Sequence, residues 1–483
     1  MKKSSTKHMK YSALKLTMAS TFALTLTLAV MMQPSHAQST VYQYTYDANG
    51  NVTKITNGNN AATKQSYDAL GRLQSQMDAD NKITKYGYDG LDRLIKVTDA
   101  RTFDTLYTVD GLGNQLSLNS PDTGVTTTTV DAAGNILTKT DAKNQVTRYT
   151  YDALNRVTRI TYHDGSITSY TYDLGQNAKG RLNQVGDQNG NISYSYDIRG
   201  HVLTDTRTMG TVVSTTSYQY DNAGRLIKLT YPNGRLVSYT RDGLGRISQV
   251  DTTKDGITAT VLSQVTYRPF GSMQSYRNSA GQTSSRSFDN EGRIASYTLN
   301  NKVQAISYDA AGRITAINEA NNPSRQTTYG YDTVDRLTSY LTPQASQSFT
   351  YDPVGNRSSK TTGAANTTYN YGLNNNRLTQ VIDSQNTPIV MDANGSTTNN
   401  GNAQFSYDAR GRMISATTSA GTVQYHVNPL GQRVQKTVPA NGSKPAVTIL
   451  YHYDLAGKLI SERHGEDDID CIYLDDIPVA AIK

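Results

Sequence analysis

A tyrosine–aspartate pair recurs along this chain at a regular spacing, and this repeat limits the possible folds more than any other feature. Seven copies follow one another at intervals of 21 residues, two of them with valine in place of tyrosine: Tyr46-Asp47, Tyr67-Asp68, Tyr88-Asp89, Val109-Asp110, Val130-Asp131, Tyr151-Asp152 and Tyr172-Asp173. The spacing then loosens, and the pair returns at Tyr196-Asp197, Tyr220-Asp221, Tyr308-Asp309, Tyr331-Asp332, Tyr351-Asp352, Tyr407-Asp408 and Tyr453-Asp454, with weaker copies such as Arg241-Asp242. A period in this range indicates an array of one supersecondary unit.

Each repeat contains the residues of a strand followed by those of a turn. Before the pair, aromatic residues alternate with polar ones, as in Tyr149-Thr150-Tyr151, which places both rings on one face of a strand. After the pair, the pattern Asp-x-x-Gly-Arg predicts a turn, because aspartate can cap the backbone two residues on and glycine adopts positive φ without steric cost. The full pattern stands at Asp68…Gly71-Arg72, Asp221…Gly224-Arg225, Asp309…Gly312-Arg313 and Asp408…Gly411-Arg412. We expect each arginine to pair with the aspartate of its own or a neighbouring turn.

The length of the repeat fits one β-hairpin. Two strands of about six residues and two turns of about four account for the period. About 20 such hairpins give about 40 strands, whereas an open twisted sheet rarely exceeds about 10 strands without curling or splitting. The chain has 34 Tyr, 37 Gly and no Trp, and only 36% of its residues are hydrophobic, which argues against a thick core. The sequence therefore predicts an all-β fold, in which antiparallel hairpins spiral as a single layer around an enclosed space and tyrosine ladders replace a deep core.

The N-terminus has the features of a secretory leader. Lysines precede an apolar run from Met18 to Met32, and small residues stand at Ser35 and Ala37. The run is shorter than the about 20 residues that span a bilayer. We therefore predict a signal peptide at residues 1–37, cleaved after Ala37, and a single repeat domain at residues 38–483.

Removal of this leader would change the charge of the protein. Five of the 47 basic residues and none of the 40 acidic ones stand in residues 1–37, which leaves 42 against 40 in the remainder. Such a balance argues against nucleic-acid binding through bulk charge. With Cys471 as its one cysteine, the chain cannot form an internal disulfide even in an oxidising compartment.

The Tyr-Asp…Gly-Arg repeats resemble the YD (tyrosine–aspartate) repeats of RHS-repeat proteins, over about residues 41–483. That group includes bacterial RHS proteins, the B and C components of insecticidal toxin complexes, and animal teneurins. The resemblance implies a hollow or partial β-shell, which in toxin members encloses a C-terminal toxin domain and in teneurin-type members acts in adhesion. YD repeats have also been linked to carbohydrate binding. The segment Tyr473–Ala480 resembles a point beyond which the family has further repeats and an Asp-Pro-x-Gly-Leu motif, so the sequence is interpreted either as a truncated chain or as a stand-alone shell.

Chemically active groups give weak signals. Cys471 has His452 and His464 nearby in sequence, but a lone cysteine in a strand is usually inert. The segment Glu466–Asp468 and the pair Asp475-Asp476 are interpreted as turn residues rather than metal ligands. We predict no catalytic residue, no cofactor and no metal site.

The sequence thus predicts a secreted or cell-surface, non-enzymatic scaffold, with the periplasm as a further location. By resemblance, it is the encapsulating shell of a polymorphic-toxin system, without its C-terminal effector in these 483 residues. The alternative is a cell-surface adhesion or carbohydrate-binding protein. The expected partners are an enclosed toxin or effector domain, or a surface glycan or neighbouring cell; neither nucleic acid nor a membrane span after leader removal is expected.

Overall fold

The structure, a computed structural model, describes residues 41–269, 271–320 and 322–483. The predicted leader and Ala37 lie outside these ranges. Strands make up nearly all of the regular structure. They are β1 Gln43–Tyr46, β2 Val52–Thr56, β3 Ala62–Tyr67, β4 Leu73–Met77, β5 Ile83–Tyr88, β6 Leu94–Thr98, β7 Asp104–Val109, β8 Gln115–Ser120, β9 Gly124–Val130, β10 Ile136–Thr140, β11 Val146–Tyr151, β12 Val157–Thr161, β13 Ile167–Tyr172, β14 Leu182–Asp187, β15 Gly190–Tyr196, β16 Val202–Met209, β17 Val212–Tyr220, β18 Leu226–Thr230, β19 Leu236–Arg241, β20 Ile247–Lys254, β21 Ile257–Tyr267, β22 Met273–Asn278, β23 Thr283–Phe288, β24 Ile294–Leu299, β25 Lys302–Tyr308, β26 Ile314–Glu319, β27 Gln326–Tyr331, β28 Leu337–Leu341, β29 Ser346–Tyr351, β30 Arg357–Thr362, β31 Ala365–Tyr371, β32 Leu378–Ile382, β33 Asn386–Pro388, β34 Val390–Met391, β35 Thr397–Asn399, β36 Gln404–Tyr407, β37 Met413–Thr418, β38 Gly421–Val427, β39 Arg433–Val438, β40 Val447–Tyr453, β41 Leu459–His464, β42 Asp467–Leu474 and β43 Ile477–Ile482. One 3₁₀ turn, Pro323–Arg325, connects β26 to β27.

Each strand pairs antiparallel with the next one along the chain. The ladder is interrupted once in the described ranges, between Pro388 and Val390, which gives a 33-stranded and a 10-stranded sheet. There the Ile389 N–H donates to the Thr379 carbonyl at 2.9 Å, so the chain stays attached across the interruption. The all-β prediction is therefore confirmed, with a strip of hairpins as its basic form.

The strip winds back on itself. The turn between β2 and β3 contacts the turn between β25 and β26, where Asn59 Nδ2 donates to Asp309 Oδ2 at 3.0 Å. The turn between β8 and β9 likewise contacts the turn between β31 and β32, where the Asn376 N–H donates to Asp122 Oδ1 at 2.6 Å. Both contacts join strands 23 positions apart. We call the first round, β1–β23, coil 1 and the remainder coil 2.

A small two-layer core forms where the end of coil 2 overlaps coil 1 face to face. Val237, Val250 and Leu262 from coil 1 and Ile460 and Ile472 from coil 2 belong to one buried cluster and are at most 1% exposed. The sequence predicted one layer throughout, and the structure corrects this at the overlap. Enough aliphatic residues are gathered in β18–β22 and β41–β43 to bury a sheet face, which the rest of the chain lacks.

Among the described residues, no helix is long and apolar enough to cross a membrane.

Candidate functional site

The repeated aspartate builds the turn that gives each repeat its shape. In the turn after β17, Asp221 Oδ1 accepts the N–H groups of Ala223 and Arg225 at 2.9 and 3.0 Å. The Gly224 N–H donates to the Asp221 carbonyl at 3.0 Å, and Gly224 has φ +77°, which favours glycine. Asp221 Oδ2 accepts the Arg225 guanidinium at 2.7 Å, which is the expected pairing within one turn. This is a three-residue hairpin loop closed by a left-handed residue.

A β-bulge follows every such turn and was not predicted from the sequence. Gln219 pairs with Lys228 and Tyr220 with Leu226, so Ile227 has no partner opposite it. A bulge interrupts the ladder locally and leaves backbone groups without a strand partner. The same register shift recurs beside Tyr46, Tyr67, Tyr88, Tyr151, Tyr172, Tyr196, Tyr308, Tyr331, Tyr351, Tyr407 and Tyr453.

The repeated tyrosine binds a carbonyl beside the bulge of the preceding repeat. The Tyr88 hydroxyl donates to the Leu73 carbonyl at 2.9 Å. In the weaker copy Arg241-Asp242, the Arg241 guanidinium takes the place of the hydroxyl and donates to the equivalent carbonyl, of Leu226, at 2.9 Å. Other hydroxyls that make this contact are those of Tyr67, Tyr151, Tyr172, Tyr196, Tyr308, Tyr331, Tyr351, Tyr407 and Tyr453. The tyrosine therefore joins one repeat to the one before it.

The repeated arginine joins its repeat to the one after it. Arg72 pairs with its own Asp68 at 2.7 Å, with Asp92 of the next turn at 2.8 Å, and with the Asp89 carbonyl at 3.1 Å. Its guanidinium carbon also lies 4.9 Å from the centre of the Tyr88 ring. Equivalent stacking joins Arg156 to Tyr172, Arg293 to Tyr308, Arg313 to Tyr331 and Arg336 to Tyr351. Arginine–aromatic stacking therefore recurs from repeat to repeat. The sequence predicted tyrosine ladders, and a direct contact between two tyrosine rings is seen in the described ranges at Tyr329–Tyr340.

These contacts keep the turn carboxylates ionised. The Arg93 guanidinium lowers the pKa of Asp89 to about 2, and the backbone N–H of Arg225, with its side chain, lowers the pKa of Asp221 to about 2. Burial raises the pKa of Tyr196, and it raises the pKa of Tyr267 to about 12. The hydroxyls therefore act as neutral donors and the aspartates as charged acceptors.

A seam closes the wall between the coils, and it uses opposite edges of the strip. Coil 2 contributes its aspartate turns, whereas coil 1 contributes the turns at the other ends of its strands. Arg336 Nη2 lies 2.9 Å from Asp80 Oδ2, and Asn394 Nδ2 donates to Asp141 Oδ2 at 2.6 Å. Further contacts are Asn59–Asp309, Arg101–Asp352, Asp122–Asn376, Lys143–Asp392 and Arg410–Asp187. The carboxylates of Asp80 and Asp122 make their hydrogen bonds across the seam rather than within their own turns.

Buried ion pairs hold the overlap at the end of the spiral. Asp470 in β42 is fully buried and accepts Arg235 Nε at 2.5 Å and Asn233 Nδ2 at 2.8 and 3.0 Å. Asp205 is also fully buried, and its Oδ2 lies 2.7 Å from Arg207 Nη2. Arg207 Nη1 donates to Gln432 Oε1 of coil 2 at 2.9 Å. The charges in this interface are therefore paired, as burial requires.

The remaining candidate groups have no arrangement suited to catalysis. Burial raises the pKa of the Cys471 thiol, which disfavours the reactive thiolate. Burial and the Arg463 charge lower the pKa of His452 to about 4, so this ring is neutral near pH 7. His464 Nε2 lies 3.3 Å from Glu462 Oε2, so this ring is paired with a carboxylate and not with the Cys471 thiol. Asp475 and Asp476 occupy the turn between β42 and β43, and no group of three metal-binding side chains occurs among the residues that the structure describes.

The structure thus places the repeated residues at consecutive strand ends along one edge of the strip, and it does not gather them into a single pocket. The seam partners could not be paired from the sequence, because Asp80 and Arg336 are 256 residues apart. The one usable signal was the acidic residue that recurs in the second turn of several early repeats, at Asp80, Asp122 and Asp141.

Comparison with known proteins identifies the group to which this arrangement belongs. A teneurin YD-shell family model matches residues 262–426 and 345–477, and an RHS-repeat model matches residues 67–103, 130–167, 206–236 and 220–258. Among solved structures, TcdB2–TccC3 without its hypervariable C-terminal region matches with a TM-score of 0.75, and the Tc holotoxin pore of Photorhabdus luminescens matches with a TM-score of 0.74. Both are 16% identical and cover 90% of this chain, but the chain spans only 28% and 27% of their lengths.

At that identity, the solved structures show a shared fold alone. Comparison with curated protein sequences finds no match. The two family models, however, match most of the chain between residues 67 and 477, and the matched ranges contain many of the turns and bulges described above. The chain therefore belongs to the RHS/YD-repeat family of β-shell proteins.

Proposed function

We propose that this protein is an exported shell that encloses a polypeptide cargo, as the toxin-type members of its family do. The seam carries the proposal. A scaffold that only displayed a surface would not need its coils sealed to each other, whereas a container does. The seam contacts extend from Asn59–Asp309 to Arg410–Asp187, and so follow much of coil 1.

The size of the coil suits a small cargo. With neighbouring strands about 4.8 Å apart, 23 strands give a circumference of about 110 Å and a diameter of about 35 Å between backbones. Side chains on the inner face reduce the free width by about 10 Å. A folded segment of about 50 residues, with a radius of gyration near 10 Å, has a diameter of about 25 Å and would fit.

The aromatic residues favour this function over glycan binding. A tyrosine that binds a sugar needs a free ring face, whereas many repeat tyrosines lie under the guanidinium of the preceding repeat. Their hydroxyls are also bound to backbone carbonyls.

Protection from protease tests the proposal. A trypsin-sensitive, unstructured tail of about 15 residues, with an unfolded radius of gyration of about 10 Å, is fused after Lys483. Its cleavage is followed in the parent fusion and in a fusion with Asp80→Ala and Asp122→Ala. We expect the tail to be protected in the parent and cleaved at least tenfold faster in the seam variant. Asp383→Ala, in a coil 2 turn on the edge away from the seam, serves as the control and should retain protection. Equal cleavage of the tail in parent and seam variant would contradict enclosure.

A further inference from the structure

The aspartate turns of coil 1 form a free edge of the spiral. In coil 2 the turns of this type dock on coil 1 through the seam. The corresponding turns of coil 1 make no such contact with the described part of coil 2, because the seam uses the other edge of coil 1. They therefore line one rim of the shell.

This rim is apolar at its most exposed points. Five of its turns carry leucine at the second residue after the aspartate, at Leu70, Leu91, Leu112, Leu154 and Leu244. Their exposed fractions lie between 66% and 82%. Two more turns expose Leu174 and Ile198 at the first position. The rim thus presents seven large aliphatic side chains, although the protein is otherwise poor in them.

Most docked coil 2 turns carry other residues at the same position. Five of them have Ala311, Val334, Val354, Asn394 and Arg410, and the last two contact coil 1 through polar groups. The docked turn that begins at Asn428 has Leu430 there, at 46% exposure. Leucine is therefore not required by the turn, and most docked turns do without it. An apolar rim calls for an apolar partner surface.

We propose that the leucine rim, defined as Leu70, Leu91, Leu112, Leu154, Leu174, Ile198 and Leu244, is a self-association surface that binds the same rim of a second copy about a two-fold axis. The rim of a second copy is an apolar surface of matching chemistry. An isologous contact buries the same patch on both copies and closes after two subunits. Dimerisation through the leucine rim is separate from the proposed enclosure of cargo and does not depend on it.

The area of the rim is of the size that such a dimer requires. Complete burial of one leucine removes roughly 60–120 Å² of apolar surface from water. Seven side chains then supply roughly 400–800 Å² per copy, and the turn backbone around them adds more. A stable interface buries about 800 Å² per partner.

Sedimentation velocity of the full chain, as its producing cell processes it, tests the proposal over a range of concentrations. We expect a concentration-dependent dimer for the parent. The variant Leu112→Asp/Leu154→Asp/Leu244→Asp should raise the dissociation constant at least about a hundredfold, because each dimer loses six apolar contacts and gains six buried charges. These side chains are largely exposed, so the variant should have the same thermal unfolding midpoint as the parent.

Matched substitutions on other edges provide the control. Leu299→Asp/Val303→Asp/Leu341→Asp changes exposed aliphatic residues of coil 2 outside the seam turns and should dimerise like the parent. A monomeric parent at all concentrations would overturn the proposal, as would equal dissociation of the rim and control variants. Phosphatidylcholine vesicles are added in a parallel experiment. Rim-dependent binding of a monomer to these vesicles would also overturn it, because the rim would then be a lipid-binding surface.

Discussion

The buried ion pair between Arg235 and Asp470 offers the sharpest test of how the spiral is held together. It joins β42 to the turn before β19, and the side chains are 9% and 0% exposed. Replacing Arg235 with alanine leaves the Asp470 carboxylate buried with Asn233 as its remaining donor. Breaking a buried pair in this way costs about 3–5 kcal/mol.

Arg225→Ala is the matched control, because it removes the same type of side chain from a pair with the same chemistry. The Arg225–Asp221 pair lies within one turn, and its side chains are 45% and 21% exposed. An exposed pair of this kind contributes about 1 kcal/mol or less. We therefore expect a several-fold larger loss in the free energy of unfolding for Arg235→Ala than for Arg225→Ala.

The assay combines denaturant unfolding with amide hydrogen exchange. Arg235→Ala should lower the unfolding midpoint and should increase exchange first in β41–β43, where the overlap is held. The double variant Arg235→Met/Asp470→Leu should recover much of the loss, because apolar residues of similar size remove both charges. Equal destabilisation by Arg235→Ala and Arg225→Ala would refute this assignment. So would a loss in the double variant Arg235→Met/Asp470→Leu equal to the sum of the losses in its two single variants.

Three further predictions concern the repeat and its titrating groups. Tyr88→Phe removes the hydroxyl that donates to Leu73 and should cost about 0.5–1.5 kcal/mol by thermal unfolding; Tyr44→Phe, at a half-exposed ring in β1, should cost less, and equal losses would contradict the assigned role of the hydroxyl. The pKa of His452 is lowered to about 4, below the ordinary 6.5, so stability should fall as the pH drops from about 6.5 to 4, and His452→Gln should flatten that slope in denaturation series. The pKa values of Asp89 and Asp221 are lowered to about 2, so their contribution to stability is complete above the ordinary value near 3.8 and is lost as the pH falls toward 2. Acid unfolding of Asp89→Asn/Asp221→Asn should be less steep over that range, and an unchanged acid slope would argue against the turn pairing.

The sequence was sufficient for the local fold but not for the closure of the wall. Asp221 and Gly224 specify their own turn through contacts within four residues, so their roles can be inferred from spacing alone. The bulge at Ile227 was missed because a single strand residue, Leu226, separates it from the turn, which is too little for a shift in the alternating pattern to be visible. Pairs such as Asp80–Arg336 depend on how many strands complete one coil, and this number follows from accumulated twist and bulging rather than from any local motif.

The contact of each repeat with the next makes the wall modular along the strip, yet the seam restricts how its length can change. Deleting one hairpin near residue 200 would leave the neighbours able to rejoin, because the same tyrosine, arginine and bulge recur on both sides. Every later turn would nevertheless move by two strands relative to coil 1, and Asn394 would no longer face Asp141. Natural gain or loss of repeats within the strip should therefore be accompanied by changes in the facing turn residues, whereas repeats added at a free end of the strip face no such constraint.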